Sequence, residues 1–193
     1  MVCEAQGPRR RQTLTAVVSH PVNDAPQFPP LILAKINEQF VSLDRLIGLV
    51  PGDKLDWSPS PGAFQTCELL GHILECLAGF CAVLYAARPD ELAHFSQVRD
   101  LEVNHRCGID EARRRISEYA THIREGFSRL RDEDLGRRLP TVFNAEGDAV
   151  LTLLLNNLEH LINHKYQLFF YLKLTGVTVG TTDLYSLARG GQE

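Results

Sequence analysis

The chain has 193 residues, enough for one domain with a substantial core and short for two full ones. Its 20 basic and 24 acidic residues leave a formal net charge of −4, and 44% hydrophobic with 23% charged residues is ordinary for a globular protein in water, which argues against a chain built to coat nucleic acid or an anionic membrane. The five cysteines, Cys3, Cys67, Cys76, Cys81 and Cys107, form no C-x-x-C pair and lack the dense spacing of a secreted disulfide scaffold, so a reducing cytoplasm is the expected setting.

Residues 1–29 read as an irregular N-terminal extension. The apolar patch Leu14 to Val18 is too short for a secretory h-region or a membrane span, and Pro21, Pro26, Pro29 and Pro30 break any helix. From Pro30 the pattern changes. Leu33, Ile36, Phe40, Leu43, Ile47 and Val50 recur at steps of three and four, which predicts an amphipathic helix with proline in its first turn and a stop at Pro51-Gly52-Asp53. The loop LDWSPSPG follows, and a second helix is predicted from about Thr66 to Ala87, closed by Arg88-Pro89.

Ile109, Ala112, Ile116, Tyr119, Ile123, Phe127 and Leu130 define the apolar face of a third helix, with Asp110 and Glu111 favourable in its first turn and Arg113, Arg114 and Arg115 assigned to its outer face. Asp148 stands where an N-cap would open a fourth helix that ends near Thr175, with Gly176 as the residue just past its end. Four long helices without a convincing period-two strand predict an all-α fold, a four-helix bundle spanning residues 30–188.

The last helix carries His160 and His164, four residues apart and therefore about one turn apart on one face, close enough to share a metal. Their strip includes Leu153, Asn157, Gln167, Leu168 and Tyr171, so the pair is expected to point into the bundle. The second helix supplies a third imidazole in His72, aligned with Leu69, Cys76 and Val83. Bundles build metal sites from side chains on facing helices, and three neutral imidazoles suit a divalent transition metal such as zinc, nickel, iron or manganese. Without a fourth protein ligand, positions stay open for water or substrate. Cysteines in the apolar second helix are read as small hydrophobes. Glu68 and Glu75 flank His72 by one turn and are candidates to orient it or to act as acid/base groups, whereas Glu159 lies about 100° from the His160 direction. His20, His94, His105 and His122 lack ligand-like spacing and are read as surface residues.

The stretches LDWSPSPGAFQTCELLGHI, Leu55 to Ile73, and HLINHKYQLFFYLKLTG, His160 to Gly176, together resemble the DinB-like (DinB/YfiT-like) superfamily, over roughly Leu31 to Tyr185. The resemblance implies a four-helix bundle with one metal held by His72, His160 and His164. It also implies activities like those of characterised branches, thiol-dependent S-transferases and a mycothiol-dependent isomerase, and homodimers. Members often carry Arg-Gly after the last histidine, where this chain has Lys165-Tyr166, and a lysine cannot supply a planar two-pronged donor.

The expected function is accordingly a metal-dependent S-transferase acting on a small molecule with a low-molecular-weight thiol as co-substrate, with Gln167 and Tyr171 placed to orient ligand or substrate. A metal-dependent hydrolase using activated water is the alternative enzyme. A non-catalytic stress-response protein stapled by its metal is the alternative of another class. No nucleic-acid or membrane partner is expected.

Overall fold

The computed structural model of the chain describes residues 27–99, 105–142 and 144–185. Four long helices dominate: α1 (Phe28–Gly48), α2 (Thr66–Ala87), α4 (Ile109–Arg129) and α5 (Val150–Leu174), with short α3 (Phe95–Arg99) and α6 (Thr181–Leu184) between and after them. The helix α1 begins two residues before Pro30, because Asp132 Oδ1 accepts from the Phe28 amide at 2.9 Å and caps the first turn, where Pro29 and Pro30 have no amide to satisfy. The rest of the N-terminal extension, with His20, lies outside the described residues.

Around the bundle, α1 packs against α4 and α5, and α2 packs against the same two helices, so α1 and α2 lie across one diagonal and α4 and α5 across the other. The predicted faces form the core. Ile36, Phe40, Leu43 and Ile47 of α1 and Ala112, Ile116, Tyr119, Ile123 and Phe127 of α4 are buried, while Leu33 and Ile109 sit at its margin. The apolar α2 is long and hydropathic enough to cross a membrane, but 61% of that window is buried among the other helices, as a central bundle helix requires. It accepts close neighbours where it lacks side chains: a Cβ on Gly71 would lie 1.8 Å from the His105 carbonyl oxygen, and one on Gly79 would lie 2.9 Å from Asn157 Oδ1 of α5.

Two expectations are corrected. Asp148 does not cap α5. It pairs with Leu139 in a two-residue antiparallel ribbon, β1 (Arg138–Leu139) and β2 (Asp148–Ala149), and Ala149 is the capping position. Arg115 is not on the outer face: it is 6% exposed, and its guanidinium reaches His105 Nε2 at 2.9 Å, the Tyr119 hydroxyl at 3.4 Å and Glu111 at 3.6 Å. Burying that charge is tolerable because it is hydrogen-bonded and faces a carboxylate. Arg113 and Arg114 are exposed and bind Asp44 and Glu118. Lys165, which follows the last histidine of the pair, is also buried, donating to Gln39 Oε1 at 2.7 Å and to the Leu184 carbonyl at 2.9 Å; it thereby fastens the α6 end of the chain to α5 and α1. Burial holds its ammonium below the usual lysine pKa.

Candidate metal centre

The seam between α2 and α5 gathers the three predicted histidines. Ring centroids stand 4.3 Å apart for His72 and His164, 4.7 Å for His160 and His164, and 5.2 Å for His72 and His160. A fourth group joins them: one donor atom each from His72, Cys76, His160 and His164 all lie within 4.8 Å of one another. These residues could hold a metal ion, and both helices contribute two of them at a spacing of four.

Cys76 is a residue the sequence reading passed over as a core hydrophobe. The signal was present, since His72 and Cys76 repeat the i, i+4 spacing of His160 and His164. Its thiol is 2% exposed and is pushed up to about 12, first by burial and then by the charge of Glu75. The histidines lie nearer solvent than expected: Cys76 forms the inner wall, His72 and His164 are half-buried, and His160 is exposed at the rim rather than pointing into the bundle.

Two imidazoles are oriented by hydrogen bonds whose polarity follows from the partners. The Glu75 carboxylate, which only accepts, lies 2.7 Å from His72 Nδ1, so His72 donates from that nitrogen. On the α5 side, the backbone carbonyl of Phe64, in the loop before α2, only accepts, so the Tyr171 hydroxyl must donate to it, at 3.0 Å. That hydroxyl then accepts from Gln167 Nε2 at 3.1 Å, which places Gln167 Oε1 2.9 Å from His164 Nδ1 and makes His164 the donor. His164 is left with a free Nε2 lone pair. Metal-binding histidines are oriented in this way in general, by an acceptor on the ring nitrogen that does not coordinate. Burial is the main influence holding the His164 pKa below the ordinary histidine value, and the neighbouring His72 and His160 add to it, so the ring is neutral and ready to coordinate near pH 7.

The loop before α2 forms a roof. Its end is pinned to the helix by hydrogen bonds from the Thr66 amide to Trp57 O and from the Cys67 amide to Leu55 O, both 2.9 Å. Phe64 consequently sits over the centre, 5.1 Å from the His72 ring and 6.4 Å from His164, while Trp57 packs edge-on against Tyr171 at 5.4 Å. Gln167 and Tyr171 thus orient His164 and the roof. Glu68, the other carboxylate flanking His72, accepts from the Gln65 amide at 2.7 Å and serves the first turn of α2. Glu159 is exposed.

No protein-family model and no curated protein sequence matches the chain. Solved structures do match its fold. A DinB-like protein of Bacillus subtilis superposes with a TM-score of 0.61 at 19% identity, covering 77% of this chain and 94% of that one. A DinB-like protein of Bacillus cereus gives 0.59 at 16%, covering 77% and 93%, and a protein of Exiguobacterium sibiricum gives 0.53 at 17%, covering 81% and 97%. The likeness establishes the DinB-like fold, in agreement with the all-α bundle expected from the sequence.

Proposed function

We propose that this DinB-like bundle is a metal-dependent enzyme that transfers an electrophilic carbon group onto the sulfur of a low-molecular-weight thiol. The observation that carries the reading is the pair of hydrogen-bond relays, from Glu75 to His72 and from Tyr171 through Gln167 to His164, which orient two imidazoles beside His160. Three imidazoles fit zinc, nickel, iron or manganese. A divalent ion held there supplies Lewis acidity that lowers the pKa of a thiol reaching it. The chain's own residues bind and shield: Phe64 offers an apolar wall to the substrate, and exposed His160 leaves the approach open from solvent.

A hydrolase reading is less well supported, because it needs a carboxylate to take a proton from water. Glu68 is engaged at the helix start and Glu75 on His72. Cys76 favours a second reading, in which it completes a closed four-ligand site and the metal staples α2 to α5 without catalysis.

A cytoplasmic setting agrees with free, buried Cys67, Cys76, Cys81 and Cys107. Homodimerisation is part of the proposal, supported by the exposed strip Ile162, Tyr166, Phe170 and Leu174 along α5.

The test is metal content by elemental mass spectrometry for the natural chain and for His72→Ala, His160→Ala and Cys76→Ala. A screen of thiols against electrophiles follows on the same samples, with their mass measured by sedimentation. Loss of metal from this centre in both histidine variants, with metal and thiol transfer kept in Cys76→Ala, supports the enzyme. Metal loss in all three variants with no thiol-dependent turnover supports the staple.

A further inference from the structure

A second group of ligand-type side chains stands on the α4 side of the molecule. His122 and Glu125 lie three apart on α4, and His94 comes from the segment between α2 and α3; one donor atom of each lies within 4.8 Å of the others. From sequence His94 and His122 are surface residues without ligand-like spacing; His94 is indeed exposed, and the two meet through the fold, with a carboxylate as the third donor. We propose that His94, His122 and Glu125 form a second divalent-metal site, independent of the α2–α5 centre, that clasps the segment after α2 onto α4.

The segment is already placed for this. Leu92 and Phe95 are buried, and Arg88 at its start donates to Asp134 at 3.0 Å, so His94 is held between two fixed points. The Phe95 ring packs edge-on against both imidazoles, with centroids 5.0 Å from His94 and 5.5 Å from His122, and gives the pair a shared apolar wall. His94 Nε2 and Glu125 Oε2 are 3.2 Å apart.

The plain alternative is a surface ion pair between His94 and Glu125. Their side chains are 48% and 38% exposed, and such a pair contributes little. It does not account for His122, whose Nδ1 is shielded from solvent without a hydrogen-bond partner. A buried polar atom left in that state is disfavoured, and coordination through that nitrogen would remove the penalty. Two imidazoles and one carboxylate form a borderline donor set, matched to zinc, cobalt, nickel or copper rather than to calcium or magnesium. Exposure of His94 leaves further positions to water.

The experiment titrates Zn²⁺, and Co²⁺ as a spectroscopic probe, into the full chain carrying His72→Ala and His160→Ala, which disable the first centre. Retained binding of a single equivalent, lost when His94→Ala is added, is the expected result. No binding, or binding that survives removal of His94, overturns the proposal. In the natural chain the exposed pair His94→Ala and Glu125→Gln gives a second check that does not strain the core: the bound zinc should fall by one equivalent with the α2–α5 centre still loaded. Unchanged stoichiometry there overturns the proposal even if the first variants fail to fold. Failure of the α2–α5 centre to bind metal leaves this outcome untouched.

Discussion

Glu75 holds the ring of His72 through a 2.7 Å contact, so replacing it separates the charge it contributes from the orientation it imposes. Removing the partner of a metal-binding histidine generally costs about 10–100-fold in affinity, or roughly 1.4–2.8 kcal/mol. The side chains of His72 and Glu75 are 18% and 34% exposed, so water screens the carboxylate and its charge accounts for only part of that range. Glu75→Gln keeps an acceptor opposite Nδ1 and should weaken Zn²⁺ binding by about 3–10-fold. Glu75→Ala frees the ring as well and should weaken it by about 10–100-fold. Competition titration against a chromophoric chelator measures both, with far-ultraviolet circular dichroism confirming that the bundle is intact. Binding by Glu75→Ala indistinguishable from the natural chain would refute the reasoning and reduce the contact to a surface ion pair.

Two further predictions concern the scaffold and its response to pH. Gly71→Ala gains about 1 kcal/mol of helix propensity, but its methyl would lie 1.8 Å from the His105 carbonyl oxygen, an overlap costing about 3 kcal/mol that also displaces the loop bonded from the Cys107 amide to Cys67 O. The clash wins by about 2 kcal/mol, a fall of roughly 4–8 °C in Tm by calorimetry, and an unchanged Tm would show that the loop yields freely. For pH, the His164 pKa is lower folded than unfolded, so between that value and about 6.5 the unfolded chain binds more protons. Metal-free protein should therefore lose stability as pH falls below about 6.5, read as a declining urea midpoint, with a shallower decline in His164→Gln; identical profiles would contradict the assignment.

Much of the bundle is legible in the sequence because its helices are long, periodic and punctuated by proline and glycine. The helix α2 spans Thr66–Ala87 as expected, ending before Arg88-Pro89, and Gly176, at φ 85°, occupies the left-handed position expected just beyond α5. His160 and His164 could be aligned from helical spacing alone, and His72 joined them through the bundle expected from the sequence. Cys76 could have been added by the same rule, and was hidden by its apolar neighbours. Local sequence could not reveal the groups whose environment is made by distant chain. Arg115 looks solvated until His105 and Tyr119 surround it, and His94 meets Glu125 only after the α2–α3 segment folds back onto α4. Asp148 carried a sound capping signal that lost to pairing with Leu139.

The division of the centre between α2 and α5 also orders events during synthesis. A growing chain that has emerged only as far as α4 contains His72 and Cys76 but neither His160 nor His164, so it has just half of the donor set. Ions captured before α5 emerges would be held by two groups and readily exchanged, whereas the complete set exists only once the last long helix has docked. Retention of an ion at this centre would therefore come late, and a chain cut before α5 should be unable to keep an ion there.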